Sequence, residues 1–123
     1  RFDWELQRRA ELGARYQRLL GEAGVPMVAV RPDRNSVWAQ MTVFVERRAE
    51  VQAALQSQGI PTAVHYPIPL NRQPAYARLC CPDCTPRADA AAARVMSLPM
   101  SADLAEADQD RVVQVLASAL RPA

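Results

Sequence analysis

Val37-Trp38-Ala39-Gln40-Met41-Thr42-Val43-Phe44-Val45, then Arg48 to Gln58, then Thr62-Ala63-Val64-His65-Tyr66: this span decides the fold. The first segment is rich in β-branched and aromatic residues, the composition of a strand. Alternation puts Val37, Ala39, Met41, Val43 and Val45 on one face and Trp38, Gln40, Thr42 and Phe44 on the other. That predicts one fully buried face and one partly covered face. The second segment carries Val51, Ala54 and Leu55 at helical spacing, and Gly59 stands where a left-handed residue would end the helix. The third is a short strand entered through Ile60-Pro61. Strand, helix and strand in so short a span form a βαβ unit.

Upstream, Trp4 to Glu22 reads as a helix with an apolar stripe of Leu12, Tyr16, Leu19 and Leu20. Arg8, Arg9, Arg15 and Arg18 lie largely off that stripe, on a solvated surface. Gly21, Gly24 and Pro26 end the helix. Val25 to Val30 is a short extended piece, followed by a turn cluster at Pro32-Asp33-Arg34-Asn35-Ser36. Downstream, Arg87 to Met96 reads as an Ala-rich helix, with Pro86 near its first turn, where a missing donor is harmless. In Val95-Met96-Ser97-Leu98-Pro99 the second half reads as strand. Ser101-Ala102-Asp103 offers cap chemistry for a last helix from Ala105 to Leu120, with Val112, Val115, Leu116, Ala119 and Leu120 inward. The expected fold class is α+β in two layers, a short mixed sheet of two to four strands covered by helices. The first helix is free to stand apart as a connector.

A chain of 123 residues, half of them apolar, fits one globular domain. No apolar run approaches the roughly 20 residues of a membrane span. No signal-peptide pattern opens the sequence, and its first residues read as mid-helix, so a longer parent chain is expected. A net charge of +2 with scattered arginines speaks against a nucleic-acid partner. All 15 basic residues are arginine, so the chain has no side-chain amine for a Schiff base. Cys80-Cys81-Pro82-Asp83-Cys84 contains a C-x-x-C pair, but the second ligand pair of a structural zinc site is missing. The cluster is read as a reduced surface loop with no metal; a disulfide is the second reading.

One stretch concentrates chemistry: His65-Tyr66-Pro67-Ile68-Pro69-Leu70-Asn71-Arg72-Gln73-Pro74-Ala75-Tyr76. It holds the only histidine and two of the three tyrosines. Its three prolines exclude a continuing helix or central strand and predict a stiff extended loop with polar tips. Composition favours a plain connector; a binding role is the alternative, since scaffolded loops often carry binding residues. Dinucleotide and P-loop glycine patterns and a nucleophile elbow are all missing. Asp103, Asp108 and Asp110 suit a helix start rather than a catalytic pair.

These motifs resemble the C-terminal part of the DegT/DnrJ/EryC1/StrS family, pyridoxal-phosphate-dependent aminotransferases acting on nucleotide-linked keto sugars. Val51 to Leu55 followed by Gly59-Ile60-Pro61-Thr62 resembles the family's helix and GI-x-T strand. His65-Tyr66-Pro67, Pro69-Leu70 and Gln73-Pro74-Ala75-Tyr76 resemble its HYP-x-PLH-x-QPAY signature, and Ser97-Leu98-Pro99-Met100 with Asp103-Leu104 resembles its SLPMHPDL ending. Asn71 and Ser101 replace histidines of those patterns, and the cysteine cluster is foreign to them. The run IPLN-x-QPA is most similar to enzymes that aminate UDP-3-keto-N-acetylglucosaminuronate, so Asn71 is a candidate for substrate choice.

The resemblance implies the small C-terminal domain of a fold-type I enzyme. Residues 1–24 would be a connecting helix from a large domain outside this sequence, and residues 25–123 the small domain. It implies pyridoxal 5'-phosphate held by that large domain, glutamate as amino donor, a cytoplasmic homodimer and a role in surface polysaccharide such as O-antigen. No catalytic or cofactor-binding residue is expected in this chain. Substrate contacts are expected from His65, Tyr66, Asn71 and Arg72; for Arg72, as for Tyr76, a plain surface or core role is the alternative. The rival readings are a stand-alone binding or regulatory module and another fold-type I pyridoxal-phosphate enzyme.

Overall fold

The computed structural model describes residues 1–121. Helix α1 (Phe2–Glu22) follows the predicted stripe, with Leu12, Tyr16 and Leu20 fully buried. It closes where Gly24 takes φ 68° and the amides of Gly24 and Val25 donate back to the carbonyls of Gly21 and Leu20. Helix α2 (Arg48–Ser57) ends the same way, with Gly59 at φ 72° and the amides of Gly59 and Ile60 donating to Gln56 and Leu55. Such closure needs a left-handed residue, which glycine adopts without a Cβ clash.

Helix α1 does not stand apart. Its second half shares the core with helix α4 (Glu106–Leu120). Buried Gln109 donates from Nε2 to the Leu12 carbonyl at 2.9 Å, and Arg15 Nη2 reaches Asp110 at 2.9 Å. The Arg15 hydrogen bond holds the Asp110 carboxyl below its ordinary value. Tyr16 donates its hydroxyl to the Pro99 carbonyl at 3.0 Å. Burial pushes the Tyr16 phenol well above its ordinary 10.0. The buried face of α4 is Gln109, Val112, Val113 and Leu116, with Val115, Ala119 and Leu120 at its margin. The expected Ser101-Ala102-Asp103 cap is not used: Ala105 occupies the cap position without a side-chain bond, and Ala102 is buried instead.

Strand β1 (Met41–Phe44) pairs with strand β2 (Val95–Leu98), Met41 opposite Leu98 and Phe44 opposite Val95. Isolated bridges widen the sheet, Met27 to Val43 on one side and Ala63 to Ser97 on the other. The order is therefore Met27, β1, β2, Ala63. Each of these pairings is antiparallel, so the mixed character expected of the sheet is absent from the described pairs. The segments flanking α2 do run parallel, but β2 lies between them.

The strands are shorter than propensity predicts. Val37 to Gln40 is not strand, because Trp38 sits at φ 49°. Its indole lies against Gly13 of α1, and its carbonyl accepts from Arg9 Nη1 at 3.1 Å. A tertiary contact overrides the local preference, and Val37 ends 59% exposed. Thr62 to Tyr66 keeps only the Ala63 bridge, since Pro61 and Pro67 remove donors on either side. Helix α3 (Pro86–Arg94) stops before Met96 because Arg48 Nη1 takes the carbonyls of Ala92 and Val95 and Val95 enters the ladder.

A Cβ on Gly13 would lie 2.5 Å from Trp38 Cδ1 and Nε1. Gly13→Ala is therefore expected to destabilise by about 1–2 kcal/mol, overpacking outweighing the gain in helix propensity. In a Trp38→Ala background the same change should stabilise by roughly 0.5–1 kcal/mol. Denaturant titration of the four variants decides it; an equal sign in both backgrounds refutes the contact. A second test concerns alkali. The raised Tyr16 phenol stays protonated in the fold after the unfolded chain releases its proton, so stability is complete below the ordinary value of 10.0 and falls as pH rises above it. Tyr16→Phe should be less stable at neutral pH yet show a flatter alkaline limb than wild type; parallel limbs would contradict this.

Candidate functional site

Ala63 pairs with Ser97 through two backbone hydrogen bonds, 3.2 and 2.7 Å. That register brings His65 beside β2, where its Nδ1 lies 3.1 Å from Ser97 Oγ. Ser97 is buried, and its Oγ is also 3.4 Å from Thr42 Oγ1 on β1. A polar row thus crosses the sheet from Thr42 through Ser97 to His65. One hydroxyl can donate to one partner while accepting from the other, so Ser97 serves either imidazole tautomer.

The imidazole borders two hollows. One, of about 290 Å³, is lined by Gln40, Thr62, Ser97 and Met100. The other, of about 510 Å³, opens between the Pro-rich loop and α3 and is lined by Tyr66, Leu70, Asn71, Tyr76 and Cys80. The His65–Tyr66 peptide is cis, and the two rings meet edge to face at 5.7 Å. Tyr66 is 69% exposed. Beyond Pro69 the chain makes a single 3₁₀ turn, Leu70–Arg72, and tight turns in which Tyr76 and Ala77 both donate to the Gln73 carbonyl.

Of the four predicted contact residues, the structure brings His65, Tyr66 and Asn71 to one groove, joined by Tyr76. Arg72 is turned to another task. Its Nε lies 2.6 Å from Asp89 of α3 and its Nη2 3.5 Å from Asp83. The Asn71 amide is engaged as well, donating from Nδ2 to the carbonyls of Cys81 at 3.1 Å and Pro82 at 3.3 Å. The cysteine cluster corrects the reduced-loop expectation. Cys81 and Cys84 are joined as a disulfide, their Cα atoms 5.5 Å apart across the Pro82-Asp83 turn, which is ordinary disulfide spacing. Cys80 is free and partly buried.

Sequence reading missed Thr42 and Ser97. The signal was available for Ser97, a lone hydroxyl within Val95-Met96-Ser97-Leu98, all four residues of which are buried. Buried polar groups call for partners. Among the described residues no cluster of three or more His, Cys, Asp or Glu could hold a metal, and no helix is long and apolar enough to cross a membrane.

This fold is shared with a solved enzyme structure. Superposition on S. venezuelae DesV gives a TM-score of 0.89 at 35% identity, over 98% of this chain and 33% of that one. A model of the DegT/DnrJ/EryC1/StrS aminotransferase family matches residues 1–117, and the chain belongs to that family. It is 44% identical over 103 residues to a UDP-2-acetamido-2-deoxy-3-oxo-D-glucuronate aminotransferase of Pseudomonas aeruginosa, covering 80% of this chain and 27% of the relative. It is 39% identical over 113 residues to a dTDP-3-amino-3,4,6-trideoxy-alpha-D-glucose transaminase of Streptomyces venezuelae, covering 89% and 29%. The chain spans about a third or less of the length of these proteins.

The polar row makes a checkable statement. Ser97→Ala should shift the ring-nitrogen resonances of His65 and cost about 1–2 kcal/mol, because two groups lose a shared partner. Unmoved imidazole resonances in a folded variant would remove Ser97 as the group that orients the ring.

Proposed function

We propose that this chain is the small C-terminal domain of a larger pyridoxal-phosphate-dependent aminotransferase, one that moves an amino group from glutamate to a keto group of a nucleotide-linked sugar. Residues 1–24 are assigned as the helix arriving from a large domain and residues 25–123 as the small domain. The observation that supports this most is the family match over residues 1–117, the stretch that also builds the groove at His65 and Tyr66.

All 15 basic residues are arginine, so nothing in this chain offers the amine that would anchor the cofactor's aldehyde. Cofactor binding is assigned to the large domain, and this chain alone is proposed to be inactive. Bound there, pyridoxal phosphate supplies an electron sink. The small domain's part is to bind and orient. His65, its ring held by Ser97, and Tyr66 offer donors to a sugar carboxylate, hydroxyl or diphosphate oxygen. Pro67 and Pro69 stiffen their loop, which lowers the ordering cost of binding. Asn71 and Arg72 act on the substrate indirectly, by fixing that loop.

The sugar proposed is UDP-3-keto-N-acetylglucosaminuronate. Support comes from the name of the P. aeruginosa relative and from the Ile68-Pro69-Leu70-Asn71 run. The proposed setting is a cytoplasmic homodimer serving surface polysaccharide synthesis, such as O-antigen.

In the full-length enzyme, His65→Ala is expected to raise KM for the UDP-keto sugar, lowering kcat/KM by about 10- to 100-fold, while the glutamate half-reaction stays near wild type. Steady-state kinetics with both substrates checks it. Wild-type constants for the sugar would remove His65 from the site, and no turnover of any keto sugar by wild type would sink the activity itself.

A further inference from the structure

We propose that Cys81 and Cys84 form a dithiol–disulfide site whose state sets the order of the loop carrying His65 and Tyr66, with Asn71 as the positioning residue between the two. The effect on sugar binding rests on the function proposed above; the structural coupling does not.

Both cysteines of the pair are exposed, so a dithiol can reach them. The bond closes the small ring Cys81-Pro82-Asp83-Cys84, which leads directly through Thr85 into α3. The site loop leans on that ring. Asn71 Nδ2 donates to the carbonyls of Cys81 and Pro82, both inside it. Arg72 reaches Asp83 in the ring and Asp89 just beyond it. Beyond the His65–Ser97 bond, its prolines and its own turns, the loop has few outside holds: Tyr66 and Leu70 are 69% and 68% exposed, and the Gln73 side chain bonds only within the loop, to Ile68. Ring closure keeps the two acceptor carbonyls of Asn71 converged. Opening the ring restores chain freedom to Pro82 and Asp83 and disperses those acceptors.

The reaction is thiol–disulfide exchange. A thiolate of a dithiol attacks one sulfur of the pair, the S–S bond breaks, and the other cysteine leaves as a thiolate that takes up a proton. The second thiol of the reductant then displaces the first cysteine. Two electrons and two protons pass to the chain, and the reductant departs as a disulfide. Cys80, a free thiol on the groove wall, is the neighbour that could scramble the pair.

The test uses the full-length holoenzyme carrying Cys80→Ser, in dithiothreitol and in its oxidised form. Amide hydrogen exchange over residues 65–76 should quicken on reduction by about tenfold, the mark of a lost local restraint. A Cys81→Ser/Cys84→Ser double variant should exchange fast in both buffers. Asn71→Ala should also exchange fast in both while thiol titration shows its disulfide intact. Equal exchange in the two buffers, or peptide mapping that finds Cys81 and Cys84 both alkylated in unreduced wild type, overturns the proposal. KM for the UDP-keto sugar should rise with reduction. If exchange responds and KM does not, the clasp stands and the sugar-binding reading fails.

Discussion

The antiparallel pairing of Met41–Phe44 with Val95–Leu98 is the contact on which the rest of this structure depends. All four residues of β2 are buried, and α1, α2 and the His65 segment are each tied to that strand or its ends. Arg48 fastens the carbonyl of Val95, Tyr16 fastens that of Pro99, and Ala63 pairs with Ser97. On the other side Met41, Val43 and Val45 press into the core formed with α1, α2 and α4. The core draws on both layers: Tyr16, Leu20, Val51, Leu55, Val112, Val113 and Leu116 come from helices, and Met41, Val43, Met96 and Leu98 from the two strands, so the hydrophobic effect acts across the seam between them.

Ser97 shows how this scaffold places the His65 ring. A hydroxyl in a buried strand is costly without partners and nearly neutral with them. Ser97 has two, Thr42 across the ladder and His65 on the loop. The burial that makes the hydroxyl need a partner also fixes where His65 stands. Orientation of the ring is therefore inherited from strand register: the ladder sets Ser97, and Ser97 sets the imidazole. A slip of one residue would turn Ser97 to the opposite face and break the row.

Helices were legible in the sequence because their signals are local. The Leu12, Tyr16, Leu20 stripe and the closures at Gly24 and Gly59 need nothing beyond the neighbouring turn. Strand limits were not, because they are set by distant atoms. Trp38 belongs to a β-rich run, yet its ring is claimed by Gly13 and its carbonyl by Arg9, twenty-five and twenty-nine residues away in sequence. The loop could be found by its prolines and its His65-Tyr66 pair. The destinations of Asn71 and Arg72 could not, since both reach into the cysteine turn, and spacing alone does not say that Cys81 and Cys84 pair.

That division explains the loop's character. Most ordered segments are held by burying apolar side chains, but this one leaves Tyr66, Ile68 and Leu70 largely open. Its order comes from elsewhere: prolines that narrow the unfolded ensemble, the 3₁₀ turn, and polar anchors from Asn71 and Arg72 to the cysteine ring and α3. Holding a loop by its backbone and polar tips keeps its aromatic and imidazole faces unspent. A core-packed loop would be as stiff but would have nothing left to offer a ligand. Rigidity ahead of binding lowers its ordering cost, which suits the substrate-contact role proposed for this loop. In this chain it depends on carbonyls that the Cys81–Cys84 ring keeps together.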